Sequence, residues 1–165
     1  MNKLLTILML LAIAVLPASS KEKETKPLKY DIVGNGIAQT SGRIVRITIY
    51  AKDKNKVSSD DFAKAAVHGV LFRGYSDSST SGFDTSAKYP AIMGSPMAEA
   101  QHAEFFKPFF EDGLYAGYVQ CMEDTRRTVK VGKEWKVSCD IVVSDVMLRQ
   151  DLEKAGIKKK MGGGL

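Results

Sequence analysis

The chain has 165 residues, enough for one domain that buries a real core without a structural metal or a dense disulfide framework. Its 24 Lys and Arg outnumber 19 Asp and Glu by five, and much of the excess lies at the ends, in Lys21–Lys26 and Lys158–Lys160. Basic ends of that kind read as solvated tails rather than as a surface for a polyanion.

The start is the most directive part. Lys3 precedes an almost unbroken apolar run, Leu4 to Leu16, followed by Pro17-Ala18-Ser19-Ser20. A basic residue, an apolar core and small residues at the exit are the layout of a secretory signal peptide. The run is too short for a spanning helix, which needs roughly 20 residues to cross about 30 Å of hydrocarbon. Residues 1–20 are therefore expected to be cleaved near Ser20, giving a periplasmic or secreted protein with no transmembrane helix in its mature chain. Export also makes nucleic acid a poor candidate partner. Residues 21–27 form a flexible charged leader, residues 28–157 a single domain, and residues 158–165 a disordered basic and glycine-rich tail.

Within the domain, Leu28, Tyr30 and Ile32 alternate with polar residues, as a half-buried strand does. Gly34-Asn35-Gly36 interrupts that strand. After the turn at Thr40–Arg43, the β-branched stretch Ile44–Tyr50 completes a hairpin. Ser58 and Asp61 have capping-box spacing. The helix behind them carries Phe62, Ala66, Gly69 and Val70 on one stripe, and Gly74 stops it.

A long polar loop, Tyr75 to Pro90, contains a Ser/Thr-rich stretch and three aromatic residues, Tyr75, Phe83 and Tyr89. Long loops in compact domains tend to be functional or disordered. Ser95-Pro96 opens a second helix, which Pro108 should kink or restart and Gly113 should end. The phenylalanines at 105, 106, 109 and 110 read as core. Strands at Tyr115–Met122 and Glu134–Val143 follow, then a helix capped by Ser144 and carrying Leu148 and Leu152. The order is β-β-α-loop-α-β-β-α. It implies an α+β fold, an antiparallel sheet of about four strands with helices on one face.

Centring the second hairpin at residue 130 puts Cys121 opposite Cys139 with both side chains inward. In an exported chain this predicts a cross-strand disulfide, the alternative being two buried thiols. No spacing of the Cys-x-x-Cys kind suggests redox chemistry.

Signatures of chemistry are few. Gly34-Asn35-Gly36 lacks the third glycine and the following helix of a dinucleotide fingerprint, so a bulge or strand bend is the better reading. Neither His68 nor His102 has a metal-ligand neighbour at i+4, so a metal site would need distant partners. No serine has a nucleophile-elbow setting, and the acidic pairs Asp60-Asp61 and Glu111-Asp112 sit at helix ends. No catalytic, cofactor or metal residue is assigned.

The stretches Ala63–Gly74, His102–Phe106, Val131–Val137 and Leu148–Ile157 resemble a family of uncharacterised exported proteins of Gram-negative gut anaerobes. More distantly, the strand pair leading into an alanine-rich helix is similar to small domains of LPP-type lipoproteins and flagellar-assembly periplasmic proteins. The resemblance implies an envelope assembly or interaction module and brings no catalytic residues. The expected function is a non-catalytic module binding another envelope protein or a surface polymer, with Tyr75, Phe83 and Tyr89 as its contacts. The alternatives are a periplasmic hydrolase built near the serine-rich loop, using His68 or His102, and a carrier of a small apolar ligand beside the Phe105–Phe110 cluster.

Overall fold

The alternating segments form strands in the computed structural model, which describes residues 28–38, 42–77 and 87–159. The proposed signal segment, the leader, residues 160–165 of the tail and the loop from 78 to 86 with Phe83 lie outside the described residues. β1 (Tyr30–Ile37), β2 (Arg43–Ala51), β5 (Val119–Val131) and β6 (Glu134–Val143) make one antiparallel sheet in the order β1-β2-β6-β5. Two sequential hairpins thus sit side by side, joined where β2 pairs with β6.

The strict alternation in β2 and β6 puts Val45, Ile47, Ile49, Val137, Cys139, Ile141 and Val143 on one face, all fully or almost fully buried. α1 (Ser59–His68) covers that face with Phe62, Ala65, Ala66 and Val67. Its capping box is complete, each of Ser58 and Asp61 bonding the other's backbone. Burial of each large apolar side chain there contributes about 1.5–3 kcal/mol relative to exposure.

The opposite face mixes charged and polar side chains with the exposed Val33, Val129 and Val131. Its most buried member, Asp140, accepts two hydrogen bonds from Arg46 at 2.7 and 2.8 Å and one from Asn35 at 2.9 Å. Asn35 reaches Asp140 from the Gly34–Gly36 interruption, where the β1–β2 register shifts, so this segment is a strand irregularity.

α1 continues through a π-helical turn, Gly69–Arg73, before Gly74 ends it. The next helix differs from the sequence expectation. It is split into α2 (Ala98–Gln101) and α3 (Ala103–Glu111), and the break falls at His102, whose backbone leaves helical geometry. Ser95 does not cap α2 directly; it closes a turn ahead of it by accepting from the Met97 backbone N–H. Pro108 lies inside α3 without ending it. The carbonyl it leaves without a helical donor is that of Glu104, in the exposed first turn where water can serve. A 3₁₀ segment, Leu114–Tyr118, leads into β5, which starts later and runs further than its sequence pattern suggests.

α4 (Asp145–Lys154) follows β6 after the single residue Ser144, which makes no side-chain cap, and buries Leu148 and Leu152. Lys158, expected in the tail, is tied to the domain by a 2.8 Å bond from its ammonium to the Ile92 carbonyl. None of the described helices is long and apolar enough to cross a membrane.

The cysteine pairing differs from the expectation. Both thiols are free. The hairpin turns at Gly132-Lys133, and residues 123–126 bulge out of β5 between the pairs Met122↔Asp140 and Arg127↔Ser138. Cys121 therefore lies opposite Ile141, and Cys139 faces the bulge. Thr125 stabilises this arrangement: its hydroxyl donates to the Met122 carbonyl at 2.7 Å and accepts from the Asp140 N–H at 2.8 Å.

Candidate functional site

The loop that begins at Tyr75 and returns at Tyr89 leaves and re-enters the domain through a two-stranded ribbon, β3 (Tyr75–Ser76) with β4 (Lys88–Tyr89). Strands of two residues carry no sequence periodicity, so the ribbon was invisible as a pattern. Its pairing sets Tyr75 directly across from Tyr89, and their rings stack at 4.9 Å with planes 28° apart. Asp77 ties the ribbon to the main sheet by bridging to Gly34. Its carboxylate fills the space a side chain at Gly34 would need and also accepts from the Tyr89 hydroxyl at 3.2 Å.

Besides Asp77, three charged residues line the cleft beside this pair. Arg43 begins β2 and is paired with Val143, the last residue of β6. Because α4 starts two residues after Val143, the register brings Arg43 beside Asp145, with Nε 3.5 Å from the carboxylate. The same guanidinium lies 4.1 Å from the centre of the Tyr89 ring, a cation–π contact. One helical turn beyond Asp145, Arg149 also lines the cleft, which is closed by the apolar walls of Val70, Pro90 and Ile92 and holds about 60 Å³. Burial pushes the Tyr75 phenol up to about 12, against the lowering effect of Arg43 and with help from Asp145, Tyr89 and Asp77, so it is neutral at physiological pH. The cleft thus combines two tyrosines, an ion pair, an arginine and an aliphatic wall. It can hold a small polar or anionic group, and among the described residues it has no nucleophile poised by a base.

Two of the three loop aromatics are therefore brought together, and Phe83 lies outside the described residues. The sequence reading missed Arg43, Asp145 and Arg149. The last two share a helix face at i, i+4 spacing, which was legible; their meeting with Arg43 depends on the β2–β6 pairing, which was not.

The other candidates are engaged elsewhere. His68 sits between Tyr30, whose hydroxyl is 2.6 Å from Nδ1, and Glu99, 3.2 Å from Nε2, with the Phe72 ring edge-on at 5.2 Å. The imidazole thereby links β1, α1 and α2, and it has no serine among its described partners. His102 occupies the helix break, its carbonyl accepting from the Phe105 and Phe106 N–H groups. The two histidines make no common site, and no group of three or more His, Cys, Asp or Glu among the described residues could hold a metal.

The phenylalanine cluster, beside which an apolar ligand was expected, takes part in the core. Phe106, Phe109 and Phe110 are buried, and Phe106 meets Phe72 edge-on at 4.9 Å. As for the cysteines, burial first, then the neighbouring Cys139, Glu123 and Asp60, push the Cys121 thiol up to about 11, and burial also raises Cys139. Thiols raised in this way are poor nucleophiles at neutral pH. Compared with protein-family models, with curated proteins and with solved structures, the chain matches none.

Proposed function

We propose that this protein is a non-catalytic binding module of the bacterial envelope that engages another envelope protein or a surface polymer through the Tyr75–Tyr89 cleft. The observation that carries this reading is the stacked tyrosine pair at the base of the loop, flanked by two arginines in a partly open cleft. Aromatic and arginine side chains are the types enriched at contact sites, because they offer large rigid area with a polar handle. The first twenty residues support an exported location, and the resemblance to exported proteins of Gram-negative gut anaerobes points the same way.

The test is cross-linking in intact cells followed by pull-down of the tagged protein. Replacing Tyr75, Phe83 and Tyr89 together by alanine should remove the specific cross-linked species. A melting curve and circular dichroism check that the fold persists, and Tyr89→Phe, which keeps the ring, should retain most of the capture. Capture that is indifferent to the triple substitution in a folded protein defeats the assignment.

A further inference from the structure

The two arginines of the cleft differ in their partners. Arg43 has Asp145 at 3.5 Å, whereas Arg149 makes no hydrogen bond or ion pair among the described residues. Arg149 thus presents the cleft with a guanidinium whose planar fork matches a carboxylate. The Asp145 carboxylate in the same cleft works against a dianion such as phosphate.

The remaining walls, Val70, Pro90 and Ile92, are apolar, and about 60 Å³ has room for a carboxylate and a short side chain. A sugar would need an open aromatic face, and Tyr89 already has the Arg43 guanidinium at 4.1 Å and the Tyr75 ring at 4.9 Å. A peptide's last residue presents a carboxylate and a side chain from the same carbon, which suits a cation beside an aliphatic wall.

We infer that the cleft between Arg149 and the Val70–Ile92 wall binds the C-terminal carboxylate of a peptide ending in a small aliphatic residue. This rests on the reading of the cleft as the binding surface and narrows its partner to a protein. Arg149 takes the carboxylate, Arg43 is held in place by Asp145 and Tyr89, and the terminal side chain lies against Val70 and Ile92.

The experiment is calorimetric titration of the purified protein with acetyl-Gly-Gly-Val as the free acid, with the same peptide as its C-terminal amide, and with glucuronate. The acid should bind at least about tenfold more tightly than the amide, the equivalent of one charge-assisted pair. Arg149→Met should remove that difference, and Arg149→Lys, which keeps the charge and loses the fork, should restore part of it. Asp145→Asn should tighten binding of the acid, because one negative charge leaves the cleft. Rising salt should weaken the acid and leave the amide unchanged.

Equal affinity for acid and amide, preference for glucuronate, or an advantage of the acid that survives Arg149→Met each overturns the inference. If no probe binds while capture in cells still depends on the tyrosines, the carboxylate inference fails and the binding module stands. If the acid binds through Arg149 while capture ignores the tyrosines, the assignment of the tyrosine contacts fails and the carboxylate site stands.

Discussion

Burial decides the chemistry of the two thiols. Cys139 is fully buried beneath α1, and its Sγ lies 3.4 Å from the Met122 carbonyl. Cys121 is 3.4 Å from the Ser59 carbonyl. A thiol must ionise to react, and with Cys121 raised to about 11 only about one molecule in a thousand carries its thiolate at pH 8. Iodoacetamide at pH 8 should therefore label the native protein slowly, and label two sites quickly once guanidinium unfolds it without reductant. Mass spectrometry reads the count, and no label on the unreduced, unfolded chain would show a bridge instead. The inward direction of both residues was legible from alternation with Val119, Val137 and Ile141. Their register was not, because it depends on the bulge at 123–126, where the Thr125 hydroxyl replaces the missing ladder bonds. A threonine in a charged stretch gives no sign of that role until the strand opposite it is known.

Among the elements, the ribbon that holds the tyrosines depends on Gly74. Its backbone, at φ 69° and ψ 178°, lies in a region essentially reserved for glycine. A β-carbon there would sit 2.6 Å from the Tyr89 carbonyl oxygen and 2.8 Å from the Ala91 nitrogen. Gly74→Ala should thus cost at least about 2 kcal/mol in urea unfolding, strain and clash together. Gly113→Ala is the control: its φ is similarly positive, but a β-carbon would meet open space, so about 1 kcal/mol is expected. Equal costs would mean that the close approach to β4 contributes nothing. Gly74 was legible as a helix stop, since glycine commonly follows a last helical turn. Its second role was hidden, because what it makes room for is the returning end of the loop at Tyr89–Ala91. The split of α2 from α3 was hidden for a related reason. Proline is the expected breaker, yet Pro108 sits where its lost bond costs little, and the break falls at His102, whose sequence carries no breaking signal.

At the scale of the whole molecule, two hairpins and a covering helix follow from period-two alternation and a capped apolar stripe. The joining of the hairpins through β2 and β6 does not, and that join creates the cleft by bringing Arg43 to the start of α4. The same assembly leaves a pH signature. Five of the six tyrosines have raised phenols. Burial is the main cause for Tyr30, Tyr75, Tyr115 and Tyr118, and the hydrogen bond to Asp31 for Tyr50. A raised phenol keeps its proton in the folded chain at a pH where the unfolded chain has lost it. The stability this contributes is complete below about pH 10, the ordinary value for tyrosine, and is lost as the pH rises toward the folded value, about 12 for Tyr75. Lysines also titrate there, but pairs such as Lys29–Glu134 and Lys154–Asp151 are largely exposed and contribute little. The melting temperature should accordingly hold up to pH 10 and fall steadily between pH 10 and 12. Tyrosinate absorbance near 295 nm should rise at higher pH in the native protein than in guanidinium. Tyr75→Phe has no phenol to ionise at the cleft, so its melting temperature should fall less steeply over that interval. Native and unfolded absorbance curves that coincide would show that the phenols are not held protonated by the fold.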